Sequence, residues 1–336
     1  MADSLVINDT TYAGTFAPYF ILPALYGMDT VDKGCINVMD GIKKKTTIGT
    51  LDFAAPWQVR VSNPVESGGN IVVGARVLDP QDMMLYQEFN PRDLESHWEA
   101  EKLSPTLLAR ELPVTFENYV TALIVGRAFE QNENQIWMGS VNYQNNPFVS
   151  KTDTRYQLQF FDGLLVQFLN DVSVYQAPGP VALTAANIGT ALQTLYQAAA
   201  TNNKALLANS KKYQRMKFGV SVNTDLIYEE YLTTQPYKNN NTTEAGIRKY
   251  KGFEIVPLAG LPDNTIVFTE MMNSTEGNLK LGLNSVSDET FLLARVNAAN
   301  EAFFIKMLAK MAVNYGRADK VFLYTTLTTA SFIATS

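Results

Sequence analysis

One histidine and one cysteine are all the imidazole and thiol that this 336-residue chain can offer to chemistry. His97 stands between Ser96 and Trp98. A general base needs a nucleophile within hydrogen-bond reach and a third group to orient it. The residues around His97 provide neither, so it reads as a packing or surface side chain. Cys35 excludes an internal disulfide and any multi-cysteine zinc site, and reads as a small, plain side chain. A metal would have to be held by carboxylates. Asp79, Asp82 and Glu88 form one candidate group and Glu99, Glu101 and Glu111 another, but both read more simply as solvated charge. The nucleophile-elbow, phosphate-loop and dinucleotide-turn patterns are missing, which removes the usual signatures of acyl transfer, P-loop chemistry and nucleotide cofactors. No catalytic, cofactor-binding or metal residue is assigned, and the expectation is a protein that is not an enzyme and needs no cofactor.

Charge narrows the partners. Lys and Arg number 27 against 33 Asp and Glu, a formal charge of −6, which is a poor match to a phosphate backbone. The basic clusters are Lys43, Lys44 and Lys45, and Lys211, Lys212, Arg215 and Lys217, with Tyr213 the one aromatic platform among them. A nucleic-acid site would interleave more aromatics with such charge. Charged residues make up 18% of the chain, below the rough quarter usual for soluble domains, as fits a surface partly covered by partner chains. The N-terminus lacks a basic patch followed by an apolar run, and no stretch of about 18 apolar residues could span a bilayer. The reading is an intracellular product with no membrane partner.

These side chains need elements to carry them. The longest is 113–137, PVTFENYVTALIVGRAFEQNENQIW, which reads as one helix. Pro113 suits a first turn, Thr115 can cap it, and Glu117 meets the positive helix end. Phe116, Tyr119, Val120, Leu123 and Ile124 recur at helical spacing. Phe116, Val120, Leu123 and Ile124 are therefore expected to form the core face of this spine. From 43 to about 87 the pattern becomes that of strands, TTIGTLDF, WQVRVS, NIVVGARVLD and MMLYQEF, with a reversal between Asn63-Pro64 and Gly68-Gly69. A two-stranded hairpin has too little core to stand alone, so this one must pack on a domain or on another molecule. Residues 1 to about 40 mix chain breakers with Tyr12, Phe16, Tyr19, Phe20 and Tyr26. They are too interrupted for a long helix and too apolar for a free tail, and should lie against the parent domain or a neighbouring subunit.

Further on, 140–180 reads as loop and strand with a turn at Asp162-Gly163, and TAANIGTALQTLYQAAA as a helix capped by Thr184. RMKFGVSV reads as a strand, NTDLIYEEYLTT as a helix capped by Asn223 or Thr224, and GFEIVPL and NTIVFTE as strands around the Leu261-Pro-Asp-Asn turn. The end is strand-rich. Ile305, Met307, Ala309, Met311 and Val313 alternate with Lys306, Leu308, Lys310 and Ala312, the period of a strand with one buried face; a helix over 299–312 is the competing reading.

The order is an aromatic arm, a long hairpin, a spine ending in QIWMGS, an insert with FFDGLL, the helix LTAANIGTALQTLYQA, then YKGFEIVPLAGLPDNTIVFTE and a closing strand pair. In that order the chain resembles the major capsid proteins of tailed bacteriophages, the Hong Kong phage capsid fold. Likeness at the level of motifs lies in 133–140, 161–165 and 250–270. The resemblance implies an α+β fold with 1–41 as N-terminal arm, 42–90 as extended β-hairpin loop, 91–149 with 265–336 as a peripheral domain holding the spine helix and a β-sheet, and 150–264 as axial domain. It implies a structural protein that self-assembles into the icosahedral head of a tailed double-stranded DNA phage, found in the virion and made in the host bacterial cytoplasm. The implied partners are copies of itself as hexamers and pentamers, a portal, decoration proteins and a separate scaffolding protein, since no charged helical segment precedes the arm. The DNA would be enclosed without sequence-specific binding. Val59, Val61, Ile71 and Val73 on the hairpin are then expected at the contact between subunits. An encapsulin-type bacterial nanocompartment shell is the alternative within the same fold, and an enzyme with an unrecognised carboxylate site is the third reading.

Overall fold

The computed structural model describes residues 10–12, 28–53, 60, 62, 71–89, 116–142, 158–202, 204–213, 215–234, 248–284, 291–295 and 303–332. For 10–12, 52–53, 71–72, 116–123, 125, 205, 211–213, 291–295, 303 and 330 it describes the backbone alone. The strands are β1 (Thr10–Tyr12), β2 (Asn37–Met39), β3 (Thr46–Phe53), β4 (Ile71–Leu78), β5 (Gln81–Phe89), β6 (Tyr175–Gln176), β7 (Met216–Val220), β8 (Lys249–Tyr250), β9 (Phe253–Pro257), β10 (Thr265–Glu270), β11 (Leu279–Leu283), β12 (Phe291–Arg295), β13 (Phe303–Tyr315) and β14 (Phe322–Thr325). The helices are α1 (Asp29–Asp32), α2 (Phe116–Met138), α3 (Leu164–Asn170), α4 (Ile188–Asn202), α5 (Lys204–Tyr213) and α6 (Val222–Thr234).

The alternation at 303–315 resolves as strand, and the helix over 299–312 is set aside for its described part. Ile305, Met307, Met311, Val313 and Tyr315 enter the main core on one face of β13. One edge of β13 pairs with β5 from Phe303↔Phe89 to Met311↔Gln81. Its other edge pairs first with β12 and then with β11, and β1 and β2 extend these to complete the first sheet. MMLYQEF therefore leaves the hairpin segment and joins this sheet, while the hairpin itself is β3 against β4.

The second sheet runs β6-β14-β10-β7-β9-β8. Its inner strands are covered on both faces, as expected of near-continuous apolar runs. Val256, Val267 and Leu323 face the main core; Phe253, Ile255, Ile266, Phe268, Phe322 and Tyr324 face a second core under α4, α5 and α6. Phe218 stacks on Phe268 with ring centroids 4.0 Å apart, and Phe253 meets Phe268 edge-on at 5.4 Å. β10 and β14, from the 265–336 portion, thus lie in one sheet with β7 and β9 from 150–264.

Two local expectations are corrected. FFDGLLVQFL, read as strand, carries α3, in which Leu164, Leu165, Val166 and Phe168 are buried; a short unbroken apolar run has no period to separate helix from strand. The cap of α6 is Ser221, whose hydroxyl accepts the Thr224 N–H at 3.1 Å, so Asn223 and Thr224 lie inside the first turn.

The spine α2 spans Phe116–Met138, and its C-terminal end explains the 133–140 and 161–165 motifs. Glu133, 4% exposed, accepts the Thr30 N–H at 3.0 Å and the Thr30 hydroxyl, which in turn accepts the Trp137 indole N–H at 2.8 Å. Burial pushes this carboxyl up from its ordinary value, against the hydrogen bonds from Thr30. Gln135 donates to the Phe161 carbonyl at 2.6 Å, and the Gly163 N–H to the Gly139 carbonyl at 2.8 Å. A Cβ on Gly163 would lie 2.7 Å from the Gly139 nitrogen and 2.8 Å from the Trp137 carbonyl, so the two backbones can cross only because that position has no side chain.

Candidate assembly surface

Residues directly opposite in an antiparallel pair share a face, so the register of the hairpin sorts its side chains without ambiguity. Ile48↔Arg76 and Thr46↔Leu78 place Ile48, Leu78 and Arg76 on one face. Ile48 and Leu78 are buried against Ile42, Met39 and Ala312. Leu51↔Val73, Gly49↔Ala75 and Thr47↔Val77 make the other face. There Leu51 is 59%, Val73 70% and Val77 52% exposed, and Thr47, Gly49 and Ala75 are exposed with them. The outcome is a stripe with no charged side chain, on a two-stranded element whose other face alone is covered.

A polar clamp fixes the base of the hairpin. The Arg76 guanidinium pairs with Asp171 and lies 4.0 Å over the centre of the Tyr315 ring. Tyr315 donates its hydroxyl to the same Asp171 oxygen at 2.7 Å, and Asn314 donates its side-chain amide to the Val77 carbonyl at 2.7 Å. Burial raises the Asp171 carboxyl, but hydrogen bonds from Arg76, Tyr315 and the Ser173 N–H outweigh it and bring the group down to about 2. Burial and the bond to Asp171 push the Tyr315 phenol upward.

Of the expected contact residues, Val73 lies on the exposed stripe. Ile71 is in β4 with only its backbone described, and Val59 and Val61 lie outside the described residues. On the spine, Ile124 is half-buried against the main core; the side chains of Phe116, Val120 and Leu123 are outside the description. Leu51, Val77 and Arg76 were not singled out by sequence. The first two need the strand register to be phased, and the third is defined by Asp171 and Tyr315, both remote in sequence.

A second apolar surface lies on the opposite side of the first sheet. Between α2 and the strands β5 and β13 runs a cavity of about 490 Å³ lined by Met83, Leu85, Ile124, Ala128, Met307 and Ala309, among others.

The first carboxylate candidates do not converge. Asp79 pairs with Lys45 at 2.9 Å, Asp82 with Lys310 at 3.1 Å, and Glu88 accepts the Tyr86 hydroxyl at 2.5 Å. His97, Glu99, Glu101 and Glu111 lie outside the described residues. Among the described residues no group of three or more His, Cys, Asp or Glu could hold a metal ion, and no helix is long and apolar enough to cross a membrane. Of the basic clusters, Lys217 is tied to Glu254 at 2.9 Å and Arg215 to Glu276 at 2.6 Å.

This architecture is shared with capsid chains of known structure. A chain of the satellite phage P4 procapsid that includes the size determination protein matches with a TM-score of 0.54 at 10% identity, over 92% of this chain and 99% of that one. The capsid of an empty GTA particle matches at 0.53 and 10% identity, over 89% and 90%. Mycobacterium phage Cain matches at 0.51 and 11% identity, over 89% and 90%. No protein-family profile matches the sequence, and no curated protein does. At such identity the likeness is one of fold. The fold is that of phage capsid and procapsid chains, mixed helix and sheet over nearly the whole length, in keeping with the resemblance read from the order of elements.

Proposed function

We propose that the chain is a structural protein and not an enzyme, copies of which assemble into the closed icosahedral head of a tailed double-stranded DNA phage. The observation that carries this reading is the hairpin. Its charge-free stripe of Leu51, Val73 and Val77 is left open by the chain's own fold, and contiguous exposed apolar surface marks sites that other molecules cover. Whole-length likeness to capsid chains supports the reading. In it, the first sheet with α2 makes the peripheral domain and the second sheet with α4, α5 and α6 the axial domain, so that β10 and β14 are taken from 265–336 into the axial sheet. The hairpin lies over a neighbouring copy, where Val59, Val61, Ile71 and Val73 join the contact; scaffolding, portal and decoration proteins are the further partners. The formal charge of −6 suits DNA that is enclosed rather than gripped.

Electron microscopy of the purified chain tests this. Closed shells are expected from the full chain, and folded, soluble subunits or capsomers without shells from a variant lacking 63–70 at the hairpin tip. A full chain that stays monomeric, or closed particles of normal size from the shortened one, would overturn the assignment.

A further inference from the structure

The stripe on the hairpin and the groove beside the spine are complementary surfaces that one chain cannot bring together. The hairpin packs through Ile48 and Leu78 on Ala312, which points to the opposite face of β13 from Met307, Met311 and Val313. The groove is on the Met307 and Ala309 face, under α2. The first sheet therefore stands between the two surfaces, and the stripe faces away from that sheet. Their dimensions agree: Val73, Ala75 and Val77 span four residues of β4, and Met83, Leu85 and Gln87 span four residues of β5, each about 13 Å at about 3.3 Å per residue. Both are apolar. The stripe brings no charge that the Met83, Leu85, Ile124, Ala128, Met307 and Ala309 lining would leave unpaired.

We propose that the groove between α2 and β5 is the receptor for the hairpin stripe of a second copy of this chain. The inference rests on the shell reading and names the surface that the hairpin meets. Because donor and receptor are different patches, the contact is head-to-tail, and repetition closes it into a ring when the rotation between copies permits. Each copy then gives one hairpin and receives one.

Two variants test it with the full chain. The natural thiol, Cys35, is wholly buried, so a chain carrying both Val73→Cys and Ala309→Cys has one reactive thiol at each surface. Assembled particles of this chain, treated with a mild oxidant, should give a ladder of covalent dimers, trimers and higher multimers, while either single variant stays uncrosslinked. Particles that form but show no bond between the two introduced thiols would overturn the receptor assignment and leave the shell reading standing; so would a dimer from Val73→Cys alone, because it joins like surfaces. A full chain that forms no particles would remove the shell reading and this inference together. As a second measurement, Val73→Asp and Ala309→Asp should each lose assembly, and mixing them should give a heterodimer and nothing larger, since only one intact pair of surfaces remains. Recovery of rings or shells from the mixture would count against a head-to-tail contact.

Discussion

The second sheet and the hairpin are built from similar short apolar strands, and they differ in how many faces their own chain covers. β10 is buried at every position, with Ile266 and Phe268 in one core and Val267 in the other. β4 buries Leu78 and exposes Val73 and Val77. In the sheet, burial on both sides makes each side chain part of the subunit's own stability. In the hairpin the buried side holds the element in place, and the open side is free to serve a contact. Apolar sequence alone does not separate these two uses; the number of covered faces does.

The contrast is broken first at its strongest point. Phe268 touches Phe218, Phe253 and Phe322 and is fully buried. Phe268→Ala should lower subunit stability by about 3–5 kcal/mol, the cost of truncating a packed aromatic. Thermal or denaturant unfolding of the free subunit measures it, and a loss under about 1 kcal/mol would show that the second core collapses around the gap.

A smaller effect is expected at the clamp. Arg76→Ala removes a charged hydrogen bond to Asp171, worth about 1.5–3 kcal/mol, and should speed amide exchange in β3 and β4 while β10 stays protected. Acid should do the same to the unaltered chain. Asp171 is held down at about 2, so its contribution is complete above the ordinary carboxylate value of about 3.9 and is lost as pH falls toward 2. Asp171→Asn should abolish that pH dependence in β4 exchange; a dependence that persists would place the titrating group elsewhere.

The smallest effect on the subunit belongs to the stripe. Val77→Ser changes a side chain that is 52% exposed, and free-subunit stability should move by no more than about 0.5 kcal/mol. Assembly, followed by light scattering, should weaken nonetheless. A large loss of subunit stability would mean that the stripe is covered within the chain.

How much of this could be read in the sequence depended on how local each cause was. The spine was legible because 3.6-residue spacing is a property of consecutive residues, and the strand at 303–315 because Lys306 and Lys310 fall on the face opposite Met307 and Met311. The 133–140 motif was visible, but its reason was not: Glu133, Thr30, Gly139 and Gly163 meet only in three dimensions. The helix α3 was misread because LLVQFL is apolar on every side. The cap at Ser221 was missed because the strand reading of RMKFGVSV absorbed it. Val73 was picked from alternation, yet which hairpin face would be open was fixed by β13, which arrives far later in the chain.

That late strand also sets how a load would travel. β13 carries β5 along one edge over a register from Phe303 to Met311, and its far end, Ala312 to Tyr315, holds the base of the hairpin. A pull on the hairpin directed along β13 is resisted by the ladder in shear, with many hydrogen bonds strained at once. The same pull directed across the sheet would peel them one at a time. The first sheet is therefore stiff in one direction and weak in another, and the long strand is the grain of the material.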